Sequence, residues 1–175
     1  MAAMKFLGSA AGVLLLLFAS SCAISQSEYE ANYASSRRAL LEGKLKEAMS
    51  SFEAQGREAE KNAATSSSPQ QYWRTATRAY SEASRVAGFS GQYQKAIAYG
   101  EKALEMAEKT KEPSQLVYAI SMLIDAHRAV RNFDKASELI DKGLALVTEI
   151  PPNTDARSTW ETTLYLRLGW DLSRR

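Results

Sequence analysis

Apolar and polar positions follow two different rules along this chain. Residues 10–19 are apolar or small without a break, centred on Val13-Leu14-Leu15-Leu16-Leu17-Phe18. From residue 27 onward, apolar residues return at intervals of three and four. Tyr93, Ala96, Ile97, Gly100, Ala103, Leu104 and Ala107 trace one stripe of a helix with a period of 3.6. Phe133, Ala136, Leu139, Ile140, Gly143, Leu144 and Val147 trace a second, and Leu45, Ala48, Met49, Phe52 and Gly56 a fainter third. No stretch alternates apolar and polar over the length of a strand. Proline stands only at Pro69, Pro113, Pro151 and Pro152. Pro113 and the Pro151-Pro152 pair end one helix and open the next, and Thr65-Ser66-Ser67-Ser68-Pro69 is a loop. The pattern predicts seven helices, at 27–41, 45–63, 70–88, 92–111, 115–129, 133–149 and 155–172. Their connections are short, so neighbours should pair as antiparallel hairpins.

The first apolar run is about half the ~20 residues a membrane-spanning helix needs. Lys5 is the only charge in the first 27 residues, and small residues close the run. That is the layout of a secretory signal. The segment Phe18-Ala19-Ser20-Ser21-Cys22 resembles the lipobox of bacterial lipoproteins, in which small residues lead into a cysteine. In that family the cysteine becomes the mature N-terminus and carries acyl chains. The residues themselves also allow cleavage by an ordinary signal peptidase near Ala19–Ser21, or an uncleaved anchor. The resemblance implies a signal peptide over 1–21, a tether over 22–27, a domain over 28–175 and lipidation of Cys22. Several acyl chains give stable anchoring where one is marginal. Ala23 in place of Asp after the cysteine implies the outer membrane, with the domain facing the periplasm.

The hairpins look like copies of one another. Gly43-Lys-Leu45-Lys-Glu-Ala48-Met49, Gly91-Gln-Tyr93-Gln-Lys-Ala96-Ile97 and Arg131-Asn-Phe133-Asp-Lys-Ala136-Ser137 share a turn, a large apolar residue, two polar residues and an alanine. This resembles the tetratricopeptide repeat (TPR), in which such a turn joins two helices. In that family a small residue seven positions after the alanine lets helices approach closely. Ala96/Ala103 and Ala136/Gly143 fit that spacing; Ala48 is followed instead by Gln55. The family period is near 34 residues. Here the large residues are 48 and 40 apart, and the family's Trp and Leu-Gly are missing from the middle repeats. The resemblance spans about residues 28–172. It implies an all-α fold, a right-handed superhelical solenoid of about three repeats plus a C-terminal helix. The physics agrees, because a lone helical hairpin cannot bury its apolar face and about three stacked ones can.

Composition narrows the functions. The chain has 175 residues, 22 Lys and Arg against 20 Asp and Glu, one Cys and one His. A net charge of +2 leaves no cationic excess for a run of phosphates, so nucleic acid is not an expected partner. Charge is even along the chain: nine basic and eight acidic residues over 23–89, twelve of each over 90–175. One Cys and one His make no disulfide, zinc site or Ser-His-Asp triad, and His127 falls where a packing residue belongs. No phosphate loop or nucleophile elbow is present, and Glu101, Glu105 and Glu108 beside Lys102 and Lys109 read as a solvated helix face. No catalytic residue, metal or cofactor is expected.

Function must then come from surfaces. In the resembled family, partners lie in the concave groove lined by the first helix of each pair. That register places Glu30, Tyr33, Arg37, Arg78, Ser81, Arg85, Tyr118, Ser121, Asp125 and Arg128 in the groove. Tyr33, Arg37, Arg78, Arg85, Tyr118, Asp125 and Arg128 are the candidate binding set, suited to an acidic segment of a cell-envelope protein. In the last helix Trp160, Leu164, Leu168 and Leu172 run along one side. Leu166 and Trp170 run along another, an apolar patch for a client or a second copy. The expected function is a membrane-anchored scaffold that binds or helps assemble another envelope protein. The alternatives are a groove-type protein for a small molecule or glycan, or a module of a longer chain.

Overall fold

The computed structural model describes the backbone of residues 26–172 and the side chains of residues 27–167. Cys22 lies outside the described residues, and Trp170 outside the described side chains. Seven helices follow one another among them: α1 (Gln26–Leu41), α2 (Leu45–Thr65), α3 (Gln70–Phe89), α4 (Tyr93–Thr110), α5 (Pro113–Ala129), α6 (Phe133–Val147) and α7 (Asp155–Leu172). Helix α1 begins inside the span expected as tether. Helix α5 begins two residues earlier than expected, because Pro113 occupies the first helical turn, where its missing N–H leaves nothing unbonded.

The three hairpin turns share one geometry. Gly43, Gly91 and Arg131 adopt left-handed backbone, with φ of 76°, 71° and 60°. The next N–H in each reaches back five residues, Lys44 to Ala39, Gln92 to Ala87 and Asn132 to His127, all at 2.9 Å. The turn residue's own N–H reaches back three. This double bond closes a helix C-terminus and requires the left-handed residue. Arginine fills that place in the third turn, at a steric cost glycine avoids.

Stacking follows chain order. α3 packs on α2 and α4 and also on α5, and α7 closes the row against α6 and α5. Each second helix offers a glycine to a large residue of the next hairpin. A Cβ on Gly56 would sit 2.8 Å from the Tyr80 ring, one on Gly100 2.9 Å from Leu123, and one on Gly143 3.0 Å from Leu164. Ala48, Ala96, Ala103 and Ala136 are all buried. In the first hairpin the close approach belongs to Gly56, one residue beyond the expected position. Gln55 turns toward α1 instead, donating from Nε2 to Ser36 Oγ at 2.7 Å, while Ser36 and Ser51 share a 2.7 Å bond.

Candidate functional site

The first helices of the hairpins, α1, α3 and α5, together with α7, form one face. An open trough of about 590 Å³ crosses their N-terminal halves. Its walls are Tyr29 and Glu30 from α1, Gln71, Arg74, Thr75 and Arg78 from α3, Ser114, Gln115 and Tyr118 from α5, and Trp160 from α7. Each helix contributes because residues four apart share a face, as Arg74 and Arg78 do.

Beneath the trough, one carboxylate ties three helices together. Glu82, 6% exposed on α3, accepts hydrogen bonds at Oε1 from the Tyr33 hydroxyl of α1 (3.3 Å) and the Tyr118 hydroxyl of α5 (3.2 Å). Its Oε2 accepts from Arg85 Nε at 3.1 Å. A buried carboxylate must be paired to be tolerated, and here three donors pair it. Burial first, and then the Glu82 charge, push the Tyr118 hydroxyl well above the ordinary phenol range. Burial does the same to Tyr29, whose hydroxyl donates to the Thr75 carbonyl at 3.3 Å.

The cations are already engaged. The Arg78 guanidinium lies 3.6 Å above the centre of the Tyr33 ring and 3.3 Å from Glu30. Arg74 grips Glu112, with Nε 2.8 and 3.0 Å from its two oxygens. Arg128 donates to the Arg167 carbonyl and lies 3.8 Å from Asp125. Arg167 in turn holds Asp125 at 2.6 Å.

These contacts sort the expected residues. Arg37, Arg78 and Arg85 converge around Tyr33 and Glu82; the Tyr33 hydroxyl is the main cause of the raised basicity of Arg37. Asp125 and Arg128 form a separate group with Arg167, bordered by Leu166. Tyr33 is 7% exposed and serves as floor rather than surface. Ser81 and Ser121, expected in the groove, are buried at 0% and 1%, because short side chains there let neighbouring helices approach. Leu166 is 70% exposed. His127 is half-buried with Nδ1 unpaired, and burial lowers its pKa. The sequence does not single out Glu82, Arg74 or Tyr29, and it places Trp160 on a stripe of the last helix rather than in the groove. Glu82 had a signal: it is the one charge between Arg78 and Arg85, among Ala79, Tyr80, Ser81, Ala83 and Ser84.

No family model and no curated protein matches the sequence. Among solved structures, the chain is similar to a TPR-like protein from Chlorobium tepidum. The two are 12% identical and superpose with a TM-score of 0.54, over 81% of this chain and 92% of the other. The fold is TPR-like. A TPR-like solenoid builds its long inner face from stacked pairs, each touching only its neighbours. The trough lies on the face of α1, α3, α5 and α7, and the Glu82 junction joins three of those helices.

Proposed function

We propose that this chain is a lipid-anchored scaffold of the cell envelope that receives a segment of another protein in its inner trough. One observation carries the reading: the trough is open and crosses all four helices of the inner face, with Tyr29, Tyr118 and Trp160 beside Arg74 and Arg78. Aromatic rings and arginines supply most binding energy at protein interfaces. Small molecules are usually held in enclosed pockets of several hundred Å³. The tighter cleft between α1, α2 and α3 offers about 30 Å³, room for roughly two waters.

An acidic segment would have to displace Glu30 from Arg78 or Glu112 from Arg74. Both pairs are partly exposed, and such pairs are weak enough to exchange. Arg85 is a poor target for charge reversal, because a second carboxylate would face buried Glu82. Arg78→Gln is the cleaner variant, because it removes the charge without setting a new carboxylate beside Glu30.

A photo-crosslinking residue placed at Gln71 or Gln115 in intact cells should capture one envelope protein, and Arg78→Gln should reduce that capture. The same residue at Ala98, exposed on α4, should not capture it. Equal products from Ala98 would refute the trough as the binding face. Intact mass of the mature protein tests the anchor: an unmodified Cys22 thiol would remove it. Leu166 sets up a second docking reading, self-association. Light scattering that shows a monomer at every concentration, with and without Leu166→Glu plus Trp170→Glu, would eliminate it.

A further inference from the structure

The two edges of the solenoid differ in charge. The three hairpin turns with their flanking helix ends, residues 37–47, 85–95 and 125–135, carry nine basic against four acidic side chains; Lys44, Arg85, Arg128 and Lys135 among the nine pair with Glu42, Glu82, Asp125 and Glu138. The connections at the opposite edge, 62–72, 106–116 and 146–156, carry two basic against four acidic. The whole chain is only +2, so folding separates charge that the sequence spreads evenly. Arg38, Lys46 and Arg131 on the turn edge are exposed and take no part in an ion pair, as is true of Lys95.

The same edge carries exposed large apolar side chains. Leu41 is 81% exposed at the end of α1, Phe89 64% at the end of α3, and Tyr93 41% at the start of α4. They stand on turns rather than in a groove. Arg85 covers one face of the Phe89 ring, with its guanidinium carbon 5.5 Å from the centre. Protein partners are recognised by complementary hollows around buried anchors. Protruding apolar tips among cations need no matching shape in an interfacial lipid layer, where apolar groups sink below the headgroups and cations meet anionic phosphates.

We propose that the hairpin-turn edge is a membrane-contact surface that rests on an anionic bilayer, with Leu41, Phe89 and Tyr93 entering the headgroup layer. The inference rests on the reading that the chain works at a membrane, but not on Cys22. Both contacts are compatible with one bilayer. Helix α1 sets Gln26 about 24 Å from the turn edge, and the chain from Cys22 to Gln26 reaches at most ~14 Å. Helices inclined by about 35° to the membrane plane satisfy both.

Cys22 is the only cysteine, so a Cys22→Ser chain accepts a dye at one introduced site. An environment-sensitive fluorophore is attached to chains of residues 22–175 that carry Cys22→Ser with Leu41→Cys, Phe89→Cys or, on the opposite edge, Ser67→Cys; all three positions are exposed. Vesicles of phosphatidylcholine with about a third phosphatidylglycerol should shift the dye at 41 and 89 to the blue and leave that at 67 unchanged. Pure phosphatidylcholine should give no shift. Lys46→Glu, Lys95→Glu and Arg131→Glu together should weaken the response about tenfold or more, with the helical circular dichroism intact. No shift at 41 and 89, or an equal shift at 67, would overturn the proposal. So would a shift that survives the charge reversal. A shift that grows with protein concentration without vesicles would assign the edge to a second copy, and one given by polyglutamate but not vesicles to an acidic protein segment. Either would overturn it. An unmodified Cys22 in cells would remove the anchor and leave this result standing.

Discussion

The first and third hairpins have the same outline and opposite interiors. Between α5 and α6 the seam is aliphatic: Val117, Ile120, Ile124, Leu139, Ile140 and Val147 are all buried. Between α1 and α2 a polar seam runs beside the apolar residues, where Ser36, Ser51 and Gln55 bond one another. Ser36 also donates to the Asn32 carbonyl at 2.9 Å. An aliphatic seam is stabilised by area and volume, which the hydrophobic period announces. A polar seam is tolerated only if each group finds a partner, and the partners lie on another helix. The repeat therefore specifies a shape, and quite different chemistry can fill it.

The difference between the seams predicts unequal sensitivity. The largest effect should come from Ile124→Ala, which removes a fully buried side chain from the third hairpin. Urea unfolding should show a loss of about 3 kcal/mol. A loss under ~1 kcal/mol would mean that this seam is no better packed than the first.

Next comes the close contact between hairpins. Ala103 is 0% exposed on α4. Ala103→Leu should destabilise by about 1–3 kcal/mol through overpacking. Neutrality there would discard the repeat register.

In the first hairpin Gln55→Ala should lose only about 1 kcal/mol, because Ser36 and Ser51 keep each other. Gln55→Leu should cost less again, since Oε1 is buried and unpaired already. A loss matching that of Ile124→Ala would erase the contrast between the seams.

The turns sharpen the comparison in the other direction. Gly43 is at ease with φ 76°, while Arg131 holds φ 60° in the third turn. Arg131→Gly should raise stability by about 1 kcal/mol, read as a higher urea midpoint at unchanged slope.

The smallest effect concerns His127 in α5. Burial holds its folded-state pKa below the unfolded value, so the unfolded chain binds the proton more readily. The stability tied to neutral His127 is complete above about pH 6.5 and falls as pH drops from there toward the folded pKa. His127→Gln should flatten the fall in stability that begins below about pH 6.5. An unchanged slope would show that His127 is solvated like a surface residue.

The helices and their pairing were legible because stripes such as Phe133, Ala136, Ile140 and Val147 come from local periodicity. Pro113 and the Gly43 and Gly91 turns punctuate them through backbone constraints that act within a few residues. The site was only half legible. The register placed Arg78 on the helices that line the trough. It could not show that Tyr33 lies under Arg78, or that Gln55 faces α1 while Gly56 makes the close approach.

By itself the sequence determined an all-helical chain of three hairpins and a last helix, because spacing, turns and propensity are properties of neighbours along the chain. Only the tertiary structure decided that Glu82 joins Tyr33, 49 residues before it, and Tyr118, 36 residues after it. Only folding gathered the cations of three distant turns onto one edge of a nearly neutral molecule. Hydrogen bonds and charge act through space, and stacking sets which distant residues become neighbours.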